Sequence, residues 1–284
     1  MRMCNRPALV LLASLVGLSA LAGCATNPVT GERELSLISQ EQEIAMGKEA
    51  APQFEQEFGG KVRNAALQEY VSMVGRQVAG VSDRPMPYTF TLVASDTPNA
   101  FALPGGPIFI TAGLMRRMTN ERQLAAVLGH ETGHIAARHS VQQMQKQMGA
   151  QLLVEIAGRA GGAEGGGTVG DVAKIVSTMA ILKYSRDDEY QADELGIKYA
   201  ADAGYNPWGV VELLTLLEAM QDAEPGRFQE MFQTHPLSSK RIERARLMLL
   251  EDPAYEDKYS PAATDPHAAR FEEMRQLLVE TLKK

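Results

Sequence analysis

The chain has 284 residues, 45% hydrophobic and 22% charged, a composition ordinary for a globular protein of one large domain or one domain with a small appendage. Its formal charge of −7 argues against a nucleic-acid partner and leaves no basic patch for an anionic membrane. The two cysteines, Cys4 and Cys24, sit at the extreme N-terminus, so the folded body offers no disulfide or thiolate, and a metal site there must use His, Glu or Asp.

Arg2 and Arg6 followed by an apolar run over 8–22 predict a secretory signal at 1–23, too short and wrongly flanked for a spanning helix. The run ends Leu21-Ala22-Gly23-Cys24, which resembles a bacterial lipobox. That resemblance implies a lipid on Cys24, cleavage before it and, with Ala25 following, a place on the periplasmic face of the outer membrane. A plain signal with a chance cysteine is the alternative. Residues 24–38 are polar and turn-rich and predict a tether; 39–250 form the main domain, and 251–284 a loop with a C-terminal amphipathic helix.

Ser39 with Gln42 is a capping box, opening a helix to about Phe58 that Gly59-Gly60 close. Asn64–Ala79 is a second helix, with Leu67, Tyr70, Val71, Val74 and Val78 on one face. Residues 88–93 predict a strand, and 99–103 with 107–111 a hairpin around Pro104-Gly105-Gly106, making a sheet of three or four strands. A helical run from Asn120 to Met148 follows, with Leu124, Val127, Leu128, Ile135 and Val141 as a buried stripe. The glycine-rich stretch 161–167 reads as a connector or a lid. Helices are then expected over 169–202, from Asn206-Pro207 to Asp222, after Ser238 or Ser239, and finally around Phe271, Met274, Leu278 and Leu282. The fold class is α+β, mostly helical.

The run at 120–148 contains His130-Glu131-Thr132-Gly133-His134. Residues four apart on a helix stack on one face, so His130 and His134 can grip one ion. Glu131, about 100° around the helix, can flank that ion without binding it, where a carboxylate could take a proton from water. HExxH is a zinc-protease pattern. Two histidines that merely hydrogen-bond are the plain alternative. Helix-interior glycine costs about 1 kcal/mol relative to alanine, so Gly129 and Gly133 point to a packing reason, such as the close approach of a second helix or a substrate.

A catalytic zinc needs a third protein ligand and an open position. Glu189 and Asp193 share another helix face: Glu189 could bind the ion, and Asp193 could take a hydrogen bond from a ligand imidazole. The same residues, with Asp187, Asp188 and Glu194 nearby, could equally be a solvated acidic face.

Together, His130–His134 and Glu189-Tyr190-Gln191-Ala192-Asp193 resemble the HtpX and CAAX prenyl protease family of gluzincin metallopeptidases. Asn99-Ala100-Phe101-Ala102, Gly105-Gly106 and Thr234-His235-Pro236 with Arg241 extend the likeness. Asn27-Pro28-Val29-Thr30-Gly31 is similar to the periplasmic lipoprotein branch, LoiP- and BepA-like but without the tetratricopeptide domain. The likeness covers about residues 25–250 and implies a zincin-like core with a small sheet beside the HExxH helix. It implies a zinc endopeptidase with His130, His134 and Glu189 as ligands, Glu131 as base and Asp193 behind a ligand. It further implies unfolded or misassembled envelope proteins as substrates, membrane contact through the lipid, and no nucleic acid; the oligomeric state stays open. His235 is implied as a fourth ligand that gates the ion, against a plain surface histidine. Asn99, Ala100, Phe101 and Ala102 are implied as an edge that pairs with extended substrate, against an ordinary hairpin strand. The rival reading is a non-proteolytic outer-membrane assembly or chaperone-like factor with a structural zinc.

Overall fold

The structure, a computed structural model, describes residues 23–36, 38–146, 183–223, 226, 229–256 and 258–283. The leader through residue 22 and the glycine-rich stretch 161–167 lie outside these residues. Two short strands, β1 (Gly23–Thr26) and β2 (Arg33–Ser36), pair antiparallel. Asn27 is buried between them. Its Oδ1 accepts the N–H groups of Val29 (2.9 Å) and Thr30 (3.3 Å), and its amide donates to Ala137 O at 3.4 Å. The stretch expected to be a tether is therefore folded against the body, because the Asn-Pro turn spends its polar groups on the chain rather than on water.

Helix α1 (Gln40–Glu57) opens on the predicted Ser39–Gln42 capping box, and α2 (Ala65–Ala79) on Asn64, whose side-chain Oδ1 accepts from the N–H groups of Ala66 and Leu67. The sheet has three strands, β3 (Thr89–Val93), β4 (Ala100–Ala102) and β5 (Pro107–Thr111), in the order β3-β5-β4. β3 runs parallel to β5 and β4 antiparallel to it. β5 is buried along its whole length, as the central strand must be when both faces are covered, and β4 is left as an edge.

A short α3 (Ala112–Met115) leads into α4 (Glu121–Ala136), which carries the HExxH residues. After it come α5 (Arg186–Asp202), α6 (Trp208–Ala223), α7 (Gln229–Thr234), α8 (Ser239–Glu251) and α9 (Ala268–Thr281). All 16 residues of α4 are buried, so the expected apolar stripe is only part of a helix enclosed on every side. Phe271 and Leu278 of α9 join the same core as α2, α4 and α5.

Two helices are shorter than the residue pattern predicts. The run expected to Met148 ends at Ala136, turns through Arg138 at φ 62°, and resumes over 139–146. The last carbonyls of α4 are claimed from outside: Arg84 Nη1 donates to Ile135 O (2.9 Å) and Asn27 to Ala137 O. Arg138 is itself held by Ser36 Oγ and Ile38 O, both at 2.9 Å. The helix expected over 169–202 is interrupted at non-helical residues 183–185, after which α5 begins at Arg186; residues 169–182 lie outside the described residues. Ser185 and Asp188 form a capping box there, which starts a new helix. At the other end of α4, Asn120 caps the helix by accepting the Gln123 N–H, and the Gln123 side chain accepts from Thr119 N–H (2.8 Å).

Candidate active site

α4 is pinned at both ends, which fixes the axial position of its histidines. At the N-terminus, Asp265 Oδ2 accepts the free N–H groups of Glu121 (2.8 Å) and Arg122 (3.2 Å). The buried Glu121 carboxylate is held by Tyr70, Tyr205 and Arg270. α5 crosses α4 closely: a Cβ on Gly129 would lie 3.3 Å from Gly196 O, and one on Gly133 would lie 3.1 Å from Leu195 Cβ. The two glycines are thus there for a helix, and the approach carries Glu189 and Asp193 to the histidines.

His130, His134, Glu189 and His235 each point one donor atom into a buried group whose atoms lie within 4.8 Å of one another. His130 Nε2 and His134 Nε2 face each other at 3.0 Å, and Glu189 lies 3.6 Å from the first and 3.5 Å from the second. His235 Nδ1 is 3.0 Å from Glu189 Oε1, and its Nε2 is 3.7 Å from Glu131 Oε1. His235 follows the end of α7, and its N–H donates to Met231 O at 2.8 Å. Behind His130, Asp193 Oδ1 takes the Nδ1 proton at 3.0 Å. His130 Nε2 therefore meets the cluster as a lone pair, free to accept from His134 Nε2 or, with His134 in its other tautomer, to share a cation with it. The residues present fit a metal ion.

Arg241 follows the His-Pro step and is one of three arginines, with Arg244 and Arg246, on α8. It is the buried cation of the site. Its Nε and Nη2 both donate to Asp193 at 2.7 Å, and Nη1 lies 2.5 Å from Glu189 Oε2. Burial raises the Glu189 and Asp193 carboxyls, but Arg241 outweighs it with help from His235 for Glu189 and His130 for Asp193, so both stay ionised below the usual range. Burial pushes Glu131 up, although His235 and His130 oppose it, and its Oε2 makes no hydrogen bond among the described residues. Burial holds His134 and His139 down as neutral imidazoles. Burial lowers His235 as well, but Glu189 and Glu131 raise it further; a bound cation would take over that charge balance.

Sequence reasoning passed over His139 and Tyr184. His139 Nδ1 is 2.9 Å from His134 Nδ1, and the Tyr184 ring stacks on His134 with centroids 3.9 Å apart. The only available signal was a histidine five residues after His134, and a broken helix was needed to bring it back.

The profile of peptidase family M48 matches residues 62–248, well over half of the chain. The chain belongs to peptidase family M48. This M48 peptidase is 30% identical over 231 residues to the beta-barrel assembly-enhancing protease of Yersinia pestis, covering 77% of this chain and 46% of that protein. It is 29% identical over 229 residues to mitochondrial metalloendopeptidase OMA1 of Schizosaccharomyces pombe, covering 79% and 66%. Against metalloprotease LoiP of Escherichia coli K12 the figures are 31% over 160 residues, 56% and 62%. The chain spans under half the length of the assembly-enhancing relatives. The family is one of peptidases, and the His130–His134–Glu189–His235 cluster could hold a metal ion. Among the described residues, no helix is long and apolar enough to cross a membrane.

Proposed function

We propose that this M48 peptidase is a zinc endopeptidase of the bacterial cell envelope that cuts unfolded or misassembled envelope proteins. The observation that carries the reading is Glu131, whose buried, unbonded Oε2 stands beside the His130–His134–Glu189 cluster. Two imidazoles and a carboxylate are a donor set that suits catalytic zinc. When bound, the ion would act as a Lewis acid toward water and the scissile carbonyl. Glu131 takes the proton of the attacking water and hands it to the leaving amine; a carboxyl raised by burial is suited to both tasks. Asp193 fixes the His130 tautomer, and Arg241 keeps Asp193 and Glu189 ionised.

An apolar cleft formed by Val127, Val210, Leu213, Leu214 and Met231 opens beside Glu131 and His235. At about 30 Å³ it has room for a single water, so a hydrophobic substrate side chain enters it as α7 moves. The edge strand β4 lies against α4 and gives substrate main chain a place to pair. Its residues divide the work. Asn99 and Leu103 turn their backbone groups to β5, and Ala100 N–H is taken by Asn99 Oδ1 (2.9 Å), so the Ala100 carbonyl and the outward groups of Ala102 are those left for substrate. His235 closes the site at rest and swings away with α7. Its presence as a fourth donor is the feature that a structural-zinc assembly factor would share, but such a factor has no use for Glu131. The envelope assignment is supported by relatives named for β-barrel assembly and by the lipobox-like Cys24, whose backbone sits in β1.

The test is tandem mass spectrometry of native and unfolded envelope proteins incubated with wild type or Glu131→Gln. New termini that appear in unfolded proteins and need Glu131 are expected. Equal cutting of native and unfolded proteins would refute the substrate class, and no Glu131-dependent termini would refute the role of Glu131.

A further inference from the structure

His139 lies just outside the four-residue cluster and has no part in the chemistry above. It is buried at 2% exposure, with Nδ1 2.9 Å from His134 Nδ1 and Nε2 2.9 Å from Gln191 Oε1. Each of these two contacts holds one proton, so the three groups form a chain with a direction. If His134 is to present a lone pair at Nε2, its proton must sit on Nδ1. His139 Nδ1 must then accept, which places the His139 proton on Nε2, and Gln191 Oε1 accepts it. Run the other way, with the Gln191 amide donating, the chain ends with a proton on His134 Nε2, and that nitrogen cannot bind a cation.

We propose that His139 and Gln191 are positioning residues that set the tautomer and ring angle of His134. The two histidines of the HExxH turn are then oriented by different means. His130 leans on a carboxylate, Asp193, whose charge Arg241 balances. His134 leans on an uncharged imidazole, His139, with the Tyr184 ring stacked on its face and the Tyr184 hydroxyl tied to Ser140 at 2.8 Å; Asp188 Oδ1, 3.8 Å from His139 Nε2, favours the same placement of the His139 proton. The physical reason is charge. Glu131, Glu189 and Asp193 already share this buried space with Arg241, and a further carboxylate in direct contact with His134 would have no cation of its own; Asp188 stands one residue further out, beside His139. Gln191 is suited to the direction-setting end because it is on α5, two residues from both Glu189 and Asp193, so one helix orients both histidines.

The proposal rests on reading His134 as a metal ligand, and His134→Ala tests that reading separately. Zinc affinity of the full-length protein, measured by competition with a chromophoric chelator, is compared with the visible spectrum of the cobalt-loaded protein. His139→Leu and Gln191→Met should each weaken zinc by about 10- to 100-fold and alter the cobalt bands. His139→Asn, whose Oδ1 can accept where Nδ1 did, should stay within a few-fold of wild type. Thermal melting of the metal-free proteins identifies any variant that has lost its fold; Gln191, only half-buried, is the safer site. Wild-type affinity in folded His139→Leu or Gln191→Met would overturn the relay. So would an Asn variant as weak as the Leu variant, since bulk rather than an accepted proton would then be what His139 supplies. If His134→Ala keeps its zinc, the ligand reading fails and the relay falls with it.

Discussion

Removing the Asp193 carboxylate should damage the metal-free fold more than it damages metal binding. Asp193→Ala deletes two charge-assisted hydrogen bonds to Arg241, both 2.7 Å, and the 3.0 Å contact to His130 Nδ1. Arg241 is only 4% exposed, so water cannot replace what it loses. Breaking a buried ion pair from one side costs about 3–5 kcal/mol. Glu189 Oε2 remains 2.5 Å from Arg241 Nη1, so the lower end, about 3 kcal/mol, applies. The loss in zinc affinity from releasing His130 should be about 10- to 100-fold, or roughly 1.4–2.7 kcal/mol. Urea unfolding of chelator-treated protein at pH 7 measures the first quantity and zinc competition the second. The pH dependence has a definite sign. The folded Asp193 carboxyl lies below its unfolded value near 3.9, so its contribution is complete above that pH and fades as pH falls through the folded pKa. The gap between wild type and variant should therefore hold from pH 7 to 5 and narrow below about pH 4. A gap under about 0.5 kcal/mol at pH 7 would show that Arg241 is not held by Asp193 in the way the geometry indicates.

Glu131→Gln should abolish peptide hydrolysis yet keep about one zinc per chain, because the base is not a ligand. A variant that cut casein at the wild-type rate would remove Glu131 from that role. Glu189→Ala should lose metal and activity together, and retention of both would shift the third ligand elsewhere. His235→Ala should raise initial rates on an unfolded substrate with zinc still bound; a clear drop would mark His235 as catalytic rather than obstructive. Cys24→Ser, exported through a replaced cleavage site, should yield a soluble periplasmic protein, and its persistence in the salt-washed membrane pellet would reveal another anchor.

Much of this protein is written in short stretches of its chain. Capping residues act on the next three positions, so Ser39, Asn64 and Asn120 mark helix starts without help from the fold. Helical geometry alone places His130 over His134 with Glu131 to one side, and the same spacing pairs Glu189 with Asp193. The glycines at 129 and 133 likewise announce a close neighbour. Which helix it would be was undetermined, because α5 lies more than fifty residues further on and no local rule links the two. Tertiary structure decided the rest. It ended α4 at Ala136 by supplying Arg84 and Asn27 as outside donors to its last turn, and the resulting bend returned His139 to His134. It turned Arg241 from one of three arginines on a helix into the counter-ion of two buried carboxylates. It also chose between a solvated acidic face and a buried one for Glu189, a choice periodicity cannot make. The same residues at the same spacing suit either environment, and only packing against α4 and α8 removes the water.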